Sequence, residues 1–219
     1  MSITVYNKEN LLNHLRQLVP DGYNMNQEGQ FLKQDEPNNR TIMLSFGIRE
    51  QFPFGVNFFA LGAGLTYHEV EQILHNIYIS HPNLDWDHDL NDDTFYKDFS
   101  DSVLGRQFVI DNVDNVLVEN DATFEQVRPY LQQMIDAALS FLETHQTLQD
   151  FYDFGETLAP RDNAAFYTQN SPPKRLIINK LIGISYDNQA SRYINRYTAL
   201  NMNANAAFIQ DLKNHLDNL

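Results

Sequence analysis

"VLVENDATFEQVRPYLQQMIDAALSFLET", residues 116–144, changes its hydrophobic period partway along. Up to Asp121 the signal is that of strands. "RQFVIDNVDNVLVEN", residues 106–120, reads as one or two of them, with "DNVDN" as a turn. From Ala122 onward Val127, Leu131, Met134, Ile135, Ala138 and Leu142 recur at helical spacing. The switch falls near Asp121. Strands are expected to lie before it and helices to fill the rest. Strands and helices in separate runs predict an α+β fold rather than a parallel α/β sheet.

Upstream of the switch, Leu11, Leu12, Leu15, Leu18 and Val19 line one face of a helix over 8–19, with Asn7 as its cap and "PDG" as its stop. "QFLKQ" and "RTIMLSFGI" flank "DEPNNR", a turn signal, and predict a hairpin. "FGVNFFALG" supplies a third strand, so an antiparallel β-meander is expected. "GLTYHEVEQILHNIYISH" reads as a helix whose capping box pairs Thr66 with Glu69. "TFYKDFS" adds a short strand.

Downstream, "QTLQDFYDFGETL" predicts a further helix, and the polar "APRDNAAFYTQNSPP" a long surface loop. Ser171 and Pro172 open another helix, faced by Leu176, Ile177, Leu181 and Ile184. Two more helices follow, one faced by Tyr193, Ile194, Tyr197 and Leu200, the other by Phe208, Ile209, Leu212 and Leu216. The domain reading is a mixed part over 1–121, with an acidic segment over 81–121, and a helical part over 122–219 packed on it as one compact unit.

The 219-residue chain has no cysteine, which removes disulfides, thiolate metal sites and thiol nucleophiles. Its N-terminus lacks the basic and apolar regions of a signal peptide, and no window approaches the ~18 unbroken apolar residues of a membrane helix. A cytoplasmic protein with no membrane partner is expected. The net charge is −14, and residues 81–125 carry twelve acidic and two basic side chains. Nucleic acid, which needs a basic surface, is not an expected partner.

The chemistry-bearing stretch is "HPNLDWDHDLNDD", residues 81–93, with two histidines and five aspartates around the only tryptophan of the chain. Asp85, Asp87 and Asp89 have the spacing that opens a calcium loop, but Leu90 and Tyr96 stand where its turn glycine and final glutamate belong. His81 and His88 with Asp85 and Asp87 are chemically able to hold zinc or iron, and a metal-dependent hydrolase is one alternative. The spacing supplies no ligand pair on a helix, so no metal and no cofactor is expected. In an extended segment Asp85, Asp87 and Asp89 would share a face at about 6.6 Å intervals, opposite Trp86. That pattern predicts either a solvated loop anchored by Leu84 and Trp86 or a surface for a basic protein partner, formed by Asp85, Trp86, Asp87, Asp89, Asp92 and Asp93.

Other constellations are incomplete. "FALGAGL" has Gly62 and Gly64 ahead of a helix, but Tyr67 occupies the third glycine position of a phosphate loop, so a strand-to-helix turn is expected. There is no GxSxG elbow and no SxxK. "SPPKR" reads as a capped helix start.

"FGIREQFPFGVNFFALGAGLTYHEVEQIL" and "VRPYLQQMIDAALSFLETHQTLQDFYDF", followed by helical hairpins, resemble uncharacterised bacterial domains associated with toxin–immunity loci. The resemblance spans most of the chain and carries no catalytic residues. It implies an immunity protein that neutralises a toxin, and the acidity fits a basic one. The leading expectation is therefore a non-enzymatic acidic binding protein. A helical adaptor that binds a peptide with its C-terminal hairpins is a further alternative.

Overall fold

The computed structural model describes residues 6–51, 55–84, 86–99, 116–168 and 171–219. The fold is α+β: an N-terminal helix, an antiparallel sheet, then a helical C-terminal half. The elements are α1 (Lys8–Arg16), β1 (Asn24–Met25), β2 (Phe31–Asp35), β3 (Arg40–Gln51), β4 (Gly55–Tyr67), α2 (His68–Tyr78), β5 (Phe95–Asp98) and β6 (Val116–Val118). Then come α3 (Asp121–Thr144), α4 (Leu148–Thr157), α5 (Pro160–Phe166), α6 (Ser171–Leu181), α7 (Asp187–Ala199) and α8 (Asn203–Asp217). Among the described residues no strand follows Asp121. The predicted strands over 106–115 lie outside the described residues.

The sheet order is β1-β2-β3-β4-β5, and β6 also pairs with β4. β4 is 13 residues long, which lets two strands share it. β6 pairs antiparallel with it from Val56 to Phe58, while Phe99 and Thr94 donate to the Leu61 and Leu65 carbonyls further along. The predicted hairpin joins β2 to β3 through a short 3₁₀ turn, Glu36–Asn38. Asn39 closes the turn at φ 47°, in the left-handed region that asparagine tolerates.

Two compact units are assembled from separated stretches of chain: residues 1–34, 42–64 and 97–145 form one, and residues 35–41, 65–96 and 146–219 the other. In the first, α1 buries Leu11, Leu12 and Leu15, as its period predicts. Its Asn7 forms the expected cap, accepting from the Asn10 amide at 3.0 Å. In the same unit α3 opens on a capping box between Asn120 and Thr123 and buries Phe124, Val127, Leu131 and Ile135. The second unit centres on aromatic side chains. The Phe95 ring lies 5.4 Å from Phe151, 5.1 Å from Phe166 and 5.4 Å from Tyr167. Helices α2, α6 and α8 pack on one another in the same unit.

Three local expectations are corrected. Gly62 and Gly64 do not make a strand-to-helix turn. Both lie inside β4, and neither has a positive φ. The Thr66–Glu69 capping box does not form either, because Tyr67 is the N-cap and no side chain caps the helix. The cause of both is pairing. The Tyr67 amide donates to Thr94 Oγ1 at 2.9 Å, and the Thr94 amide donates back to the Leu65 carbonyl at 2.6 Å. These bonds extend the strand through the residues that local propensity assigns to a cap. Finally, part of the predicted long loop is helix α5. Pro160 sits in its first turn, where a missing N–H costs nothing. Asn163 is buried there, donating to the Gly155 carbonyl at 2.6 Å and accepting from Arg175 at 3.0 Å.

Candidate functional site

Residues 81–93 leave the end of α2 and are anchored by their rings. Trp86 stacks on Tyr78 at 5.3 Å between centroids and meets Phe208 of α8 edge-on at 5.2 Å. It is half-buried. His81 also packs edge-on against Phe208, at 5.3 Å. Its Nδ1 lies 3.0 Å from the Ile77 carbonyl, and its Nε2 lies 3.2 Å from Asp211. Tyr78 and Phe208 thus hold the segment by apolar contact, and the tryptophan keeps part of its surface in solvent.

From Trp86 to Asp89 exposure alternates, with Trp86 half-buried and His88 buried between the carboxylates. Asp87 and Asp89 are exposed. The chain then turns: the Asp89 amide donates to Asp92 Oδ2 at 3.0 Å, and both the amide and side-chain nitrogens of Asn91 donate to Asp89 Oδ1, at 2.8 and 2.9 Å. Bonding from the Asn91 amide holds the Asp89 carboxyl below its usual range. An aspartate followed by amides two and three residues on favours such a turn over extension. Asp92 and Asp93 are half-buried and turn toward the interior. Asp85 lies outside the described residues. Of the predicted interface residues that are described, Asp87 and Asp89 are exposed, and Trp86, Asp92 and Asp93 are half-buried.

Beneath this turn lies a polar network that sequence reading missed. Glu71 of α2 and Lys174 of α6 have no exposed surface, and their Oε1 and Nζ are 3.3 Å apart. Thr94 Oγ1 donates to the same Glu71 oxygen at 2.6 Å. Lys174 Nζ donates to the Asp93 carbonyl at 2.6 Å and to Thr168 Oγ1 at 3.2 Å, and Thr168 donates to that carbonyl as well. His88 is buried, with Nε2 3.2 Å from the Glu71 carbonyl and Nδ1 3.3 Å from Asp92 Oδ2. Desolvation pushes the Glu71 carboxyl up to about 7 and that of Asp93 up to about 6, and lowers the His88 imidazole. "SPPKR" is thus a buried cation followed by Arg175, which pairs with Glu156 at 2.6 Å. A signal for Lys174 was present: it stands three and four residues before Ile177 and Ile178, on the stripe that faces the core.

Asp92 and Asp93, with Tyr96, Ala165 and Thr168, line an open cavity of about 340 Å³. The hydrolase reading draws on His81, His88 and Asp87, with Asp85 outside the described residues. Each imidazole has its own neighbours, His81 on Ile77 and Asp211 and His88 on Glu71 and Asp92. Among the described residues no group of three or more histidines and carboxylates could hold a metal ion, and no helix is long and apolar enough to cross a membrane. Comparison of the chain with protein-family models, with curated proteins and with solved structures finds no match.

Proposed function

We propose that this is a non-enzymatic, cytoplasmic binding protein of the immunity type, which neutralises a basic toxin through the surface of residues 86–89. The observation that carries the reading is the setting of Trp86. Its ring is half-buried against Tyr78 and Phe208, and the exposed carboxylates of Asp87 and Asp89 follow it in the chain. A preordered aromatic ring beside acidic groups suits a basic partner: the ring supplies buried area at little entropic cost, and the charges speed encounter. Ile79, 65% exposed, and Leu90, 39% exposed, add apolar surface in the same part of the chain. Asp92 and Asp93 serve the anchoring of the segment, and Asp85 belongs to the same acidic stretch of sequence.

The test is binding to the product of the neighbouring reading frame, measured at low and high salt. Wild-type affinity should fall with salt. The triple variant Asp85→Asn, Asp87→Asn, Asp89→Asn should bind more weakly and with less salt dependence; asparagine at 89 keeps an oxygen for Asn91. Trp86→Ala should cost about 2 kcal/mol, typical of an aromatic hot spot. Unchanged binding by the triple variant would move the interface elsewhere.

One observation favours a second reading, a peptide-binding adaptor. Helix α7 buries only Ala190, while Tyr193, Ile194 and Tyr197 are half-exposed and Leu200 is 57% exposed. Loss of partner binding in Ile194→Ala with Leu200→Ala, and its retention in the triple aspartate variant, would select it.

A further inference from the structure

The position of His88 poses a proton problem. Its Nε2 faces the Glu71 carbonyl at 3.2 Å. A carbonyl can only accept, so Nε2 must carry a hydrogen. In the neutral ring Nδ1 is then a bare acceptor. That nitrogen faces two carboxylate oxygens, Asp92 Oδ2 at 3.3 Å and Glu71 Oε2 at 3.7 Å. Both His88 Nδ1 and Glu71 Oε2 are buried and have no hydrogen-bond partner. Three acceptors turned toward one another in a low-dielectric interior repel unless a hydrogen lies among them.

We propose that Glu71, His88 and Asp92 share one proton, which latches the 87–93 turn onto helix α2, and that its loss at higher pH loosens that turn and the packing of Trp86. One proton relieves both orphan atoms: on Nδ1 it faces Asp92 Oδ2 at 3.3 Å, and on Glu71 Oε2 it faces Nδ1 at 3.7 Å, longer than a hydrogen bond. It also lowers the charge of the cluster. With the proton, Lys174, Glu71, His88 and Asp92 sum to zero, and without it to one negative charge; Asp93, coupled to Lys174 and Asp92, adds one negative charge to either count once it ionises. The groups facing His88 from each packed element fit this count. They are Glu71 and the phenol ring of Tyr78 from α2, with the His75 ring at 5.7 Å from the same helix, Asp92 from its own segment, and Lys174 from α6. Burial raises the Glu71 carboxyl to about 7 and lowers the imidazole, so the proton resides on the carboxyl side. The inference goes beyond partner binding and does not depend on it.

Trp86 is the only tryptophan in the chain and lies two residues from His88, so its fluorescence reports on the latch. The full chain is titrated from about pH 5.5 to about pH 8.5, which spans the ionisation of a histidine and a raised carboxyl. Wild-type emission should move reversibly to longer wavelength with a midpoint near 7. Glu71→Gln reproduces the charge and the donor of the protonated acid, so it should keep the low-pH spectrum throughout. His81→Gln, which removes an imidazole packed on the same Phe208 ring as the tryptophan, should leave the transition in place. A flat wild-type profile overturns the proposal, as does a transition that survives Glu71→Gln or vanishes in His81→Gln. Should Glu71→Gln not fold, nitrogen NMR of the wild-type His88 ring decides. A hydrogen-bonded or protonated Nδ1 at the acidic end, bare at the alkaline end, supports the latch; a bare Nδ1 at both ends overturns it.

Discussion

Lys174 brings an ammonium into an interior where it has no exposed surface. Its Nζ reaches the Asp93 carbonyl, Thr168 and Glu71, so the desolvation cost is met by three oxygens. Removing one partner of such a group leaves the others buried and unsatisfied. Lys174→Met, close in volume, should therefore destabilise the protein by about 3 kcal/mol in urea denaturation at about pH 8, where Glu71 is ionised and depends on the cation. At about pH 6, where Glu71 keeps its proton, the loss should be smaller. Equal losses at the two pH values would mean that Glu71 does not titrate between them. The same residue shows how far local reading reaches. The helical stripe that carries Ile177 and Ile178 places Lys174 toward the core, but the residue that receives it, Glu71, lies on another helix far away in the chain.

At the scale of elements, α4 contains a glycine that helix propensity alone disfavours. A Cβ added at Gly155 would meet the Tyr167 hydroxyl at 2.9 Å, the Tyr167 ring at 3.1 Å and Phe166 at 3.1 Å. Glycine is what lets α4 approach the aromatic cluster of its unit. Gly155→Ala should gain about 1 kcal/mol of helix propensity and lose more to overpacking, which costs about 1–3 kcal/mol in a well-packed core. The expected outcome is a lower Tm in calorimetry; a raised Tm would show that the rings yield. Helix caps behave differently, because their partners are neighbours in sequence. Asn120→Ala, which removes the acceptor for the Thr123 amide at 3.0 Å, should cost about 1 kcal/mol. The caps at Asn7 and Asn120 formed within three residues of chain, whereas the Thr66 cap lost to a strand brought in from Thr94.

For the whole molecule, the two raised carboxyls set the direction in which stability follows pH. Glu71 and Asp93 bind protons more tightly folded than their ordinary values of 4.5 and 3.8 would allow. Their contribution is therefore complete below those values and lost as pH rises through about 6 for Asp93 and about 7 for Glu71. His88 acts in the opposite sense. Its lowered imidazole contributes stability above its ordinary 6.5 that is lost as pH falls through the folded value. Asp35, held low by Asn38 and by Arg40 at 2.6 Å against the pull of burial, matters only below its ordinary 3.8. The urea midpoint should thus be highest in mildly acidic solution and decline toward pH 8, and Glu71→Gln with Asp93→Asn should flatten the decline. A midpoint that rises from about pH 5 to about pH 8 would contradict the raised carboxyls.

The sequence by itself determined the α+β class, the hairpin around Glu36–Asn38, the cap at Asn7, and the helical run after Asp121. Each depends on hydrophobic period or on a bond to a residue within one turn of chain, and such information is local. Only the tertiary structure decided that Gly62 and Gly64 extend a strand, that Asn163 is held by Arg175 in a short helix, and that Asp92 turns to His88. These outcomes depend on partners brought from distant parts of the chain. The free energy of a buried charge or an extended strand is set by the partner that meets it, and that partner exists only once the chain has folded.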